Sequence, residues 1–578
     1  MAAVVRDRRI IGWLPFVFAL AALHGRALVS HIVYALDPSV FNDDVRQQIF
    51  PFFRFSDRDL FPHDALGDYV LAGTPIGVRA LYTAAALIHD AVPLSKILPY
   101  ILLLVTVAAV VGATVAIGSR WSAFASASLV LGSSLFIARM AGGLARGFAF
   151  PLLALGLALL AAGRLRYLLA LVAVSAALYP PVAVLLGLAS AFAAFLLPAG
   201  DRGDLANHSA SKRLILFAAA FLLTGLVVLP TALALRGYGR MIVPAMVQEY
   251  PEAGPGGRYD AEDRAPFEAL ASGSVHAVER ALRPGGRPFG EKIAGWLSVS
   301  GDGLDVRSGV AFAILLLGGI SLASRRPEAR RILMLGLAVL AAYLVARPVS
   351  PHLFVPGRYL TYALPLLTFV LLPAGAAEVV RLLPASLRQR FRAPIAAATA
   401  VALLVLLGGT GSARAGLQRF SSENDRLLAA VSGLPKGSLI AGWPEGPIDS
   451  VPYVCRRQVL LSFELHHAFH TGFVDDTRRR MWALIDAYFA TSLEPLVRLR
   501  DEFGVTHLIV HLSHLRGAPP TYFAPYDPWI ADAVGRADGR EFVALRLVPT
   551  HAIYADGRDV ILDLSKLGPA GDGAGPSP

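Results

Sequence analysis

The chain has little charge and almost no cysteine. Charged side chains make up 16% of its 578 residues, against 55% hydrophobic ones, and Cys455 is its single cysteine. One cysteine excludes an internal disulfide and any CxxC metal site. No GxxxxGK[ST] phosphate loop, no GxGxxG after a strand and no HExxH occurs. Nucleotide hydrolysis and cytoplasmic nucleotide-sugar binding therefore lack a motif. Tandem repeats of the solenoid or propeller kind are missing as well.

What the chain does have is apolar length. Its mean hydropathy of +0.56 is far above that of soluble proteins, which makes a multi-span membrane protein the expected class. Apolar segments lie near 10–31, 94–117, 121–138, 148–163, 165–179, 181–198, 213–235, 309–323, 331–346, 358–374 and 394–411. At 1.5 Å per residue, most approach the roughly 30 Å of a hydrocarbon core, and the short ones need a bundle or a thinned bilayer. The basic, apolar N-terminus is read as a retained first span that starts in the cytoplasm. Alternate turns then carry Arg120, Arg164, Arg166, Lys212, Arg213, Arg325, Arg326, Arg330, Arg331, Arg381, Arg388, Arg390 and Arg392. The short turns of opposite parity carry only Arg139, Arg146 and Arg347. This follows the positive-inside rule and accounts for most of the +11 net charge without nucleic acid. An odd span count puts the C-terminus outside. The Ala, Arg and Gly-rich composition points to a bacterium with a GC-rich genome, and so to a multi-pass protein of its inner (plasma) membrane.

The expected fold class is mainly α: a polytopic bundle of about eleven spans with a C-terminal extracytoplasmic α/β domain. The membrane module covers 1–411, with outer loops at about 32–93 and 236–308. The Phe-rich IFPFFRF of the first loop is suited to the membrane interface. Residues 412–567 form the outer domain, and the Gly/Pro-rich 568–578 a disordered tail. In the domain, SSENDRLLAAVSGLP reads as a helix with Ser422 as N-cap, and SLIAG, RQVLLSF, THLIVHL, FVALRLV and VILDL as strands. DDTRRRMWALIDAYFA and LEPLVRLRDEFG read as helices, the second ended by Gly504.

Few residues carry chemistry. Asp43 and Asp44, in FNDDVRQQ, sit just after the first span. Asp44 can cap a short helix, with Gln47 as capping-box partner and Phe41 as staple. That use explains one carboxylate and leaves the second at a membrane edge, where partial burial raises a carboxyl pKa towards that of a general base. Arg46 follows closely. Arg146, in RMAGGLARGFAFP, and Arg358 with Tyr359, in HLFVPGRYLTYALP, stand at outer mouths of spans. Arginine binds phosphate through a planar fork of donors, and Arg and Tyr are equally familiar as interface anchors. LYPPVAV reads as a tight outer turn. The histidines His466, His467, His470, His507, His511 and His514 have spacings that zinc would accept on a helix. His507 and His511 fall in a strand, which favours ordinary core or surface histidines.

The acidic pair in the first outer loop, the many spans, the outer RGFAFP and PGRY, and an outer α/β tail together resemble the C-type glycosyltransferase superfamily. Its members include protein mannosyltransferases, aminoarabinose transferases and oligosaccharyltransferases. RLRDEFGVTHLIV also looks like a segment that recurs in such proteins, and the chain most resembles their uncharacterised bacterial branch. The resemblance implies a polyprenyl-phosphate-linked sugar donor, an acceptor that is a glycan, a lipid or a protein, and transfer on the periplasmic face. It implies Asp43 or Asp44 as general base, inversion at the anomeric carbon, and Arg358, then Arg146, on the leaving phosphate, with Arg46 and Tyr359 beside them. No cofactor is expected. Some members need a divalent metal, but no second carboxylate cluster stands out beyond Asp64 and Asp68. Rival readings are a flippase for lipid-linked sugars, a glycan polymerase or ligase using the 236–308 loop, and a scaffold whose tail binds partners.

Overall fold

A backbone in hydrocarbon can satisfy its N–H and C=O groups only internally, and the helix does so within one segment. In a computed structural model of the chain, the expected apolar segments that lie among the described residues fall on helices. The structure describes residues 12–258, 270–277, 306–349, 355–382, 384–386, 414–420 and 424–568. The segment 394–411, Arg388, Arg390, Arg392, Ser422, most of 259–305 and the end of the tail lie outside the described residues.

Among the described residues, five helices are long and apolar enough to cross a membrane: Leu14–Leu36, Ala91–Ile117, Ala210–Arg236, Pro327–Arg347 and Pro356–Leu382. A pair, Arg120–Gly132 and Ser134–Met140, meets the same test together but is bent by 58°, the form of a broken span or a re-entrant loop. The chain is a multi-pass membrane protein. Ala149–Ala161, Leu165–Leu178 and Pro180–Phe195 are shorter. Ala149–Ala161 is buried along most of its length, so its neighbours rather than lipid surround it. Tyr179 makes the turn between the latter two helices, and Pro180 and Pro181 open the next one, where missing N–H groups cost nothing.

The two ends of the bundle differ. At one end, Arg331 donates to the carbonyls of Leu160 and Ala161 at 2.7 and 2.8 Å, and Arg330 pairs with Asp201 at 2.7 Å. Gly163 and Gly203 both take positive φ there, and a Cβ on Gly203 would lie 2.1 Å from the Gly163 carbonyl oxygen. At the other end, about 20 Å away along the helix Ala149–Ala161, lie the acidic pair and the tail.

The first outer loop has helices of its own. It forms the helices Ala65–Gly73 and Ile76–Ile88. The rings of its Phe-rich stretch turn into the protein rather than outward. Phe50, Phe52 and Phe53 are almost wholly buried, packed against Phe61, Tyr82 and Tyr453. Burying those rings stabilises the fold of the loop, and the Phe53–Tyr453 contact adds to the docking of the tail on it. Polar contacts fix the same junction: Arg456 with Asp90, Lys436 with Asp57 at 2.6 Å, and His470 Nδ1 with the Tyr69 hydroxyl at 2.8 Å.

Strand β1 (Val40–Phe41) pairs antiparallel with β2 (Gln418–Arg419), which ties the approach to the tail to the acidic segment. The tail's sheet contains β3 (Leu439–Gly442), β4 (Gln458–Val459), β5 (His507–His511), β6 (Ala552–Ala555) and β7 (Asp559–Asp563), in the order β4-β3-β5-β7-β6. The β3 pairings are parallel and those of β7 antiparallel. FVALRLV is a helix, Val543–His551, and not a strand. Its buried residues Val543, Ala544 and Leu547 have helical spacing, and the edge strand is the next segment. RQVLLSF contributes only the short β4. The expected helices are present as Asp425–Ser432, Thr471–Tyr488 and Glu494–Phe503, the last ended by Gly504 at φ +75°.

Candidate active site

Asp44 stands at the N-cap position of the four-residue helix Val45–Gln48, but its side chain caps nothing. The capping-box expectation fails because the carboxylate is drawn to stronger donors. Asp44 Oδ2 is ion-paired with Arg146 Nη1, and Gln47 Nε2 donates to Asp44 Oδ1 at 3.2 Å. Asp43 points elsewhere, as adjacent residues do, and pairs with Arg46. Arg46 Nη1 also donates to Ser450 Oγ at 3.1 Å, and its guanidinium lies 4.7 Å from the Phe420 ring centroid.

Local backbone geometry makes the Asp44–Arg146 pairing possible. Gly142 and Gly143 have φ of +85° and +62°, a region that only glycine enters without strain. A Cβ on Gly142 would lie 2.5 Å from Val45 Cγ2. The bare backbone can therefore press against the acidic segment, and Tyr82 holds it there by donating to the Gly142 and Gly143 carbonyls at 3.3 and 3.0 Å. Three residues on, Arg146 Nη2 donates to Asn42 Oδ1 at 3.1 Å. Asn42 Nδ2 in turn donates to the Gly416 carbonyl at 2.8 Å.

The tail closes the cluster from above with residues that sequence reading passed over. Glu464 Oε2 accepts from Gln47 Nε2 at 2.9 Å and lies 3.8 Å from Arg258 Nη2. Burial pushes the Glu464 carboxyl up, opposed by Arg258 and reinforced by Asp43 and Asp44. Asp449, 8% exposed, accepts from the Glu464 N–H at 3.1 Å. Burial pushes its carboxyl up to about 7, against the opposing pull of that N–H and of Arg46. No local motif marks these residues. Only the docking of the tail brings them to the acidic pair.

Asp43, Asp44, Arg46 and Arg146 thus form one constellation. Arg358 is at the same end of the bundle but in a different setting, where its charge acts on Tyr179. Tyr179 packs edge-on to Tyr362 at 5.8 Å, and Tyr362 to Phe150, in the first turn after Arg146, at 5.3 Å. Tyr359 is buried in the apolar core at 5% exposure. Asp64 is buried beneath the first loop, its carboxyl raised to about 6 mainly by that burial, and Asp68 pairs with Arg54.

His466 is a structural partner. Buried His466 meets the hydroxyls of Tyr522 and Tyr526 at 3.2 and 3.3 Å, and burial lowers its pKa to about 3. Among the described residues, no three His, Cys, Asp or Glu side chains are grouped to hold a metal ion.

No family model and no curated protein matches the chain. Solved structures of similar shape come from Archaeoglobus fulgidus. One is its oligosaccharyltransferase in complex with Zn and sulfate (11% identity, 82% of this chain, 64% of that one, TM-score 0.47). A second is the archaeal oligosaccharyltransferase AglB with an inhibitory peptide and a dolichol-phosphate (12%, 84%, 69%, 0.43). A third carries a tethered acceptor peptide containing the NVT sequon (12%, 87%, 70%, 0.49). The chain spans 64% of the length of the first of these.

Proposed function

We propose that this protein is a membrane glycosyltransferase that moves a sugar from a polyprenyl-phosphate carrier to an acceptor at the outer face of a bacterial inner membrane. The observation that carries the reading is the ion pair of Asp44 with Arg146, held between the first outer loop and the tail at the mouth of an apolar bundle. A carboxylate there meets both water-borne and lipid-borne substrates.

In this reading the acceptor hydroxyl attacks the anomeric carbon. A new C–O bond forms as the bond to the carrier phosphate breaks, with inversion. The hydroxyl proton passes to Asp44, whose two oxygens are oriented by Arg146 and Gln47. Asp43 holds Arg46 in place. The departing phosphate takes the electron pair, and Arg358, at the bundle mouth, stabilises its charge. Tyr359, buried in the core, anchors the start of the helix Val355–Leu382 that carries Arg358. Positive-inside topology supports a cytoplasmic N-terminus and a periplasmic tail domain over 412–567.

The residues do not fit a divalent cation. Each carboxylate of the pair faces a guanidinium, which supplies the positive charge an ion would bring and would repel one.

The test is mass spectrometry of envelope lipids and glycans from wild type, a deletion, and the Asp43→Asn/Asp44→Asn strain at equal expression. The expected result is that the double variant matches the deletion, with one sugar missing from a glycan and the polyprenyl-phosphate sugar accumulating. A double variant that matches wild type while the deletion does not would sink the transferase reading and favour lipid transport or a scaffold.

A further inference from the structure

The tail holds a second site that the chemistry above does not use. In open α/β sheets, ligands settle outside the carboxyl ends of parallel strands, where the connecting loops diverge. Here β3 and β5 are parallel neighbours, and a cavity of about 410 Å³ opens beyond Gly442 and His511 at their carboxyl ends. That volume falls in the roughly 300–1,000 Å³ range of small-molecule sites.

Its walls suit a neutral, hydroxyl-rich ring. Trp443 and Tyr488 line the cavity with little exposed surface, and among the described residues the buried indole N–H of Trp443 has no hydrogen-bond partner. His511 Nδ1 is engaged by Asp559 Oδ1 at 2.7 Å, and His514 Nδ1 by the Tyr488 hydroxyl at 3.1 Å. Those bonds fix both imidazoles and do not use either Nε2. Glu445 at the rim adds acceptors. Arg558 is balanced by Asp559 at 3.4 Å, so the lining carries no excess of positive charge for a phosphate.

The cavity is also joined to the acidic pair. Pro447 and Ile448 line it, and the same single 3₁₀ turn, Pro447–Ser450, ends on Asp449 and Ser450, which face Glu464 and Arg46. One such turn rises about 6 Å. Arg258, which contacts Glu464, also pulls on the Glu445 carboxyl.

We propose that this cavity is an acceptor subsite for a neutral sugar unit, placing a glycan whose next hydroxyl reaches Asp44. The proposal rests on the transferase reading and names its acceptor class.

The experiment is saturation-transfer-difference NMR on the full chain in nanodiscs. The probes are neutral methyl glycosides and their disaccharides, with a threonine tripeptide amide and glucuronic acid as comparators. At least one neutral glycoside should give signal. That signal should fall at least fivefold in Glu445→Gln and in Trp443→Phe, persist in Asp44→Asn, and survive added farnesyl phosphate. The first substitution is at an exposed rim residue and the second keeps an aromatic ring, so folding can be matched by thermal melting. No signal from any neutral glycoside, signal from the tripeptide alone, signal indifferent to both cavity substitutions, or displacement by farnesyl phosphate would each overturn the proposal. Failure of the transferase reading shows separately, as a wild-type glycan profile in the Asp43→Asn/Asp44→Asn strain.

Discussion

Asp449 offers a quantitative check on how the tail meets the acidic segment. Its carboxyl is pushed from 3.8 up to about 7, first by burial. A carboxyl whose folded pKa is raised contributes its full stability below the unfolded value and loses it as pH rises to the folded one. The loss therefore runs from about pH 4 to pH 7 and is flat above. Between pH 5 and pH 7 some two pKa units remain, worth roughly 2–3 kcal/mol at about 1.36 kcal/mol per unit. Asp449→Asn removes this cost while keeping an acceptor for the Glu464 N–H. The variant should thus gain about 2–3 kcal/mol on wild type between pH 5 and pH 8. Thermal or denaturant unfolding of the purified protein in one detergent, at both pH values, reads the difference. If wild type and variant move together with pH, or the variant is the less stable at pH 8, the buried neutral carboxyl is wrong.

Arg146→Ala leaves Asp44 and Asn42 without their shared donor. A charge-assisted bond at a site about a quarter exposed is worth about 1.5–3 kcal/mol, so transfer in membrane vesicles should fall roughly 10- to 100-fold. Wild-type transfer would remove Arg146 from the site. Gly142→Ala forces a left-handed alanine against Val45, at about 1–2 kcal/mol for the backbone alone, and should lower both the melting temperature and transfer. Gly437→Ala, with open space around it, is the matched control and should change neither. Prolonged dialysis against EDTA should leave transfer within twofold of the untreated rate, and restoration by added Mn²⁺ or Zn²⁺ after a loss would refute the guanidinium reading. Gly203→Ala, at the far end of the bundle, should destabilise strongly through its clash with Gly163, with no change in sugar specificity of the surviving protein.

Much of the architecture is legible without coordinates because it depends on solvent preference. Uninterrupted Ala, Leu and Val mark helices whose backbone must pair internally. Alternation and helix stops such as Gly504 outline the tail. The failures are also informative. IFPFFRF has the composition of an interfacial stretch, yet its rings pack inward on Phe61 and Tyr82 of the same loop, and Phe53 reaches Tyr453 of the tail, a partner no window of sequence contains. FVALRLV carries β-type residues, but its neighbours bury one helical face of it, and packing overrides propensity.

The candidate site divides in the same way. The sequence alone determined that two carboxylates sit after the first span and that arginines stand at span mouths, since both follow from local order along the chain. It left Asp44 torn between capping a helix and doing chemistry. Only the tertiary structure decided that Asp44 caps nothing, because glycines at 142 and 143 let a loop from a later helix come within reach and give it a guanidinium in place of backbone N–H groups. Glu464, Asp449, Arg258 and the cavity beyond β3 and β5 lie hundreds of residues from the acidic pair or belong to no motif. Their roles are properties of juxtaposition: burial and neighbouring charge set what a carboxyl can do, and those are defined only when the chain is folded.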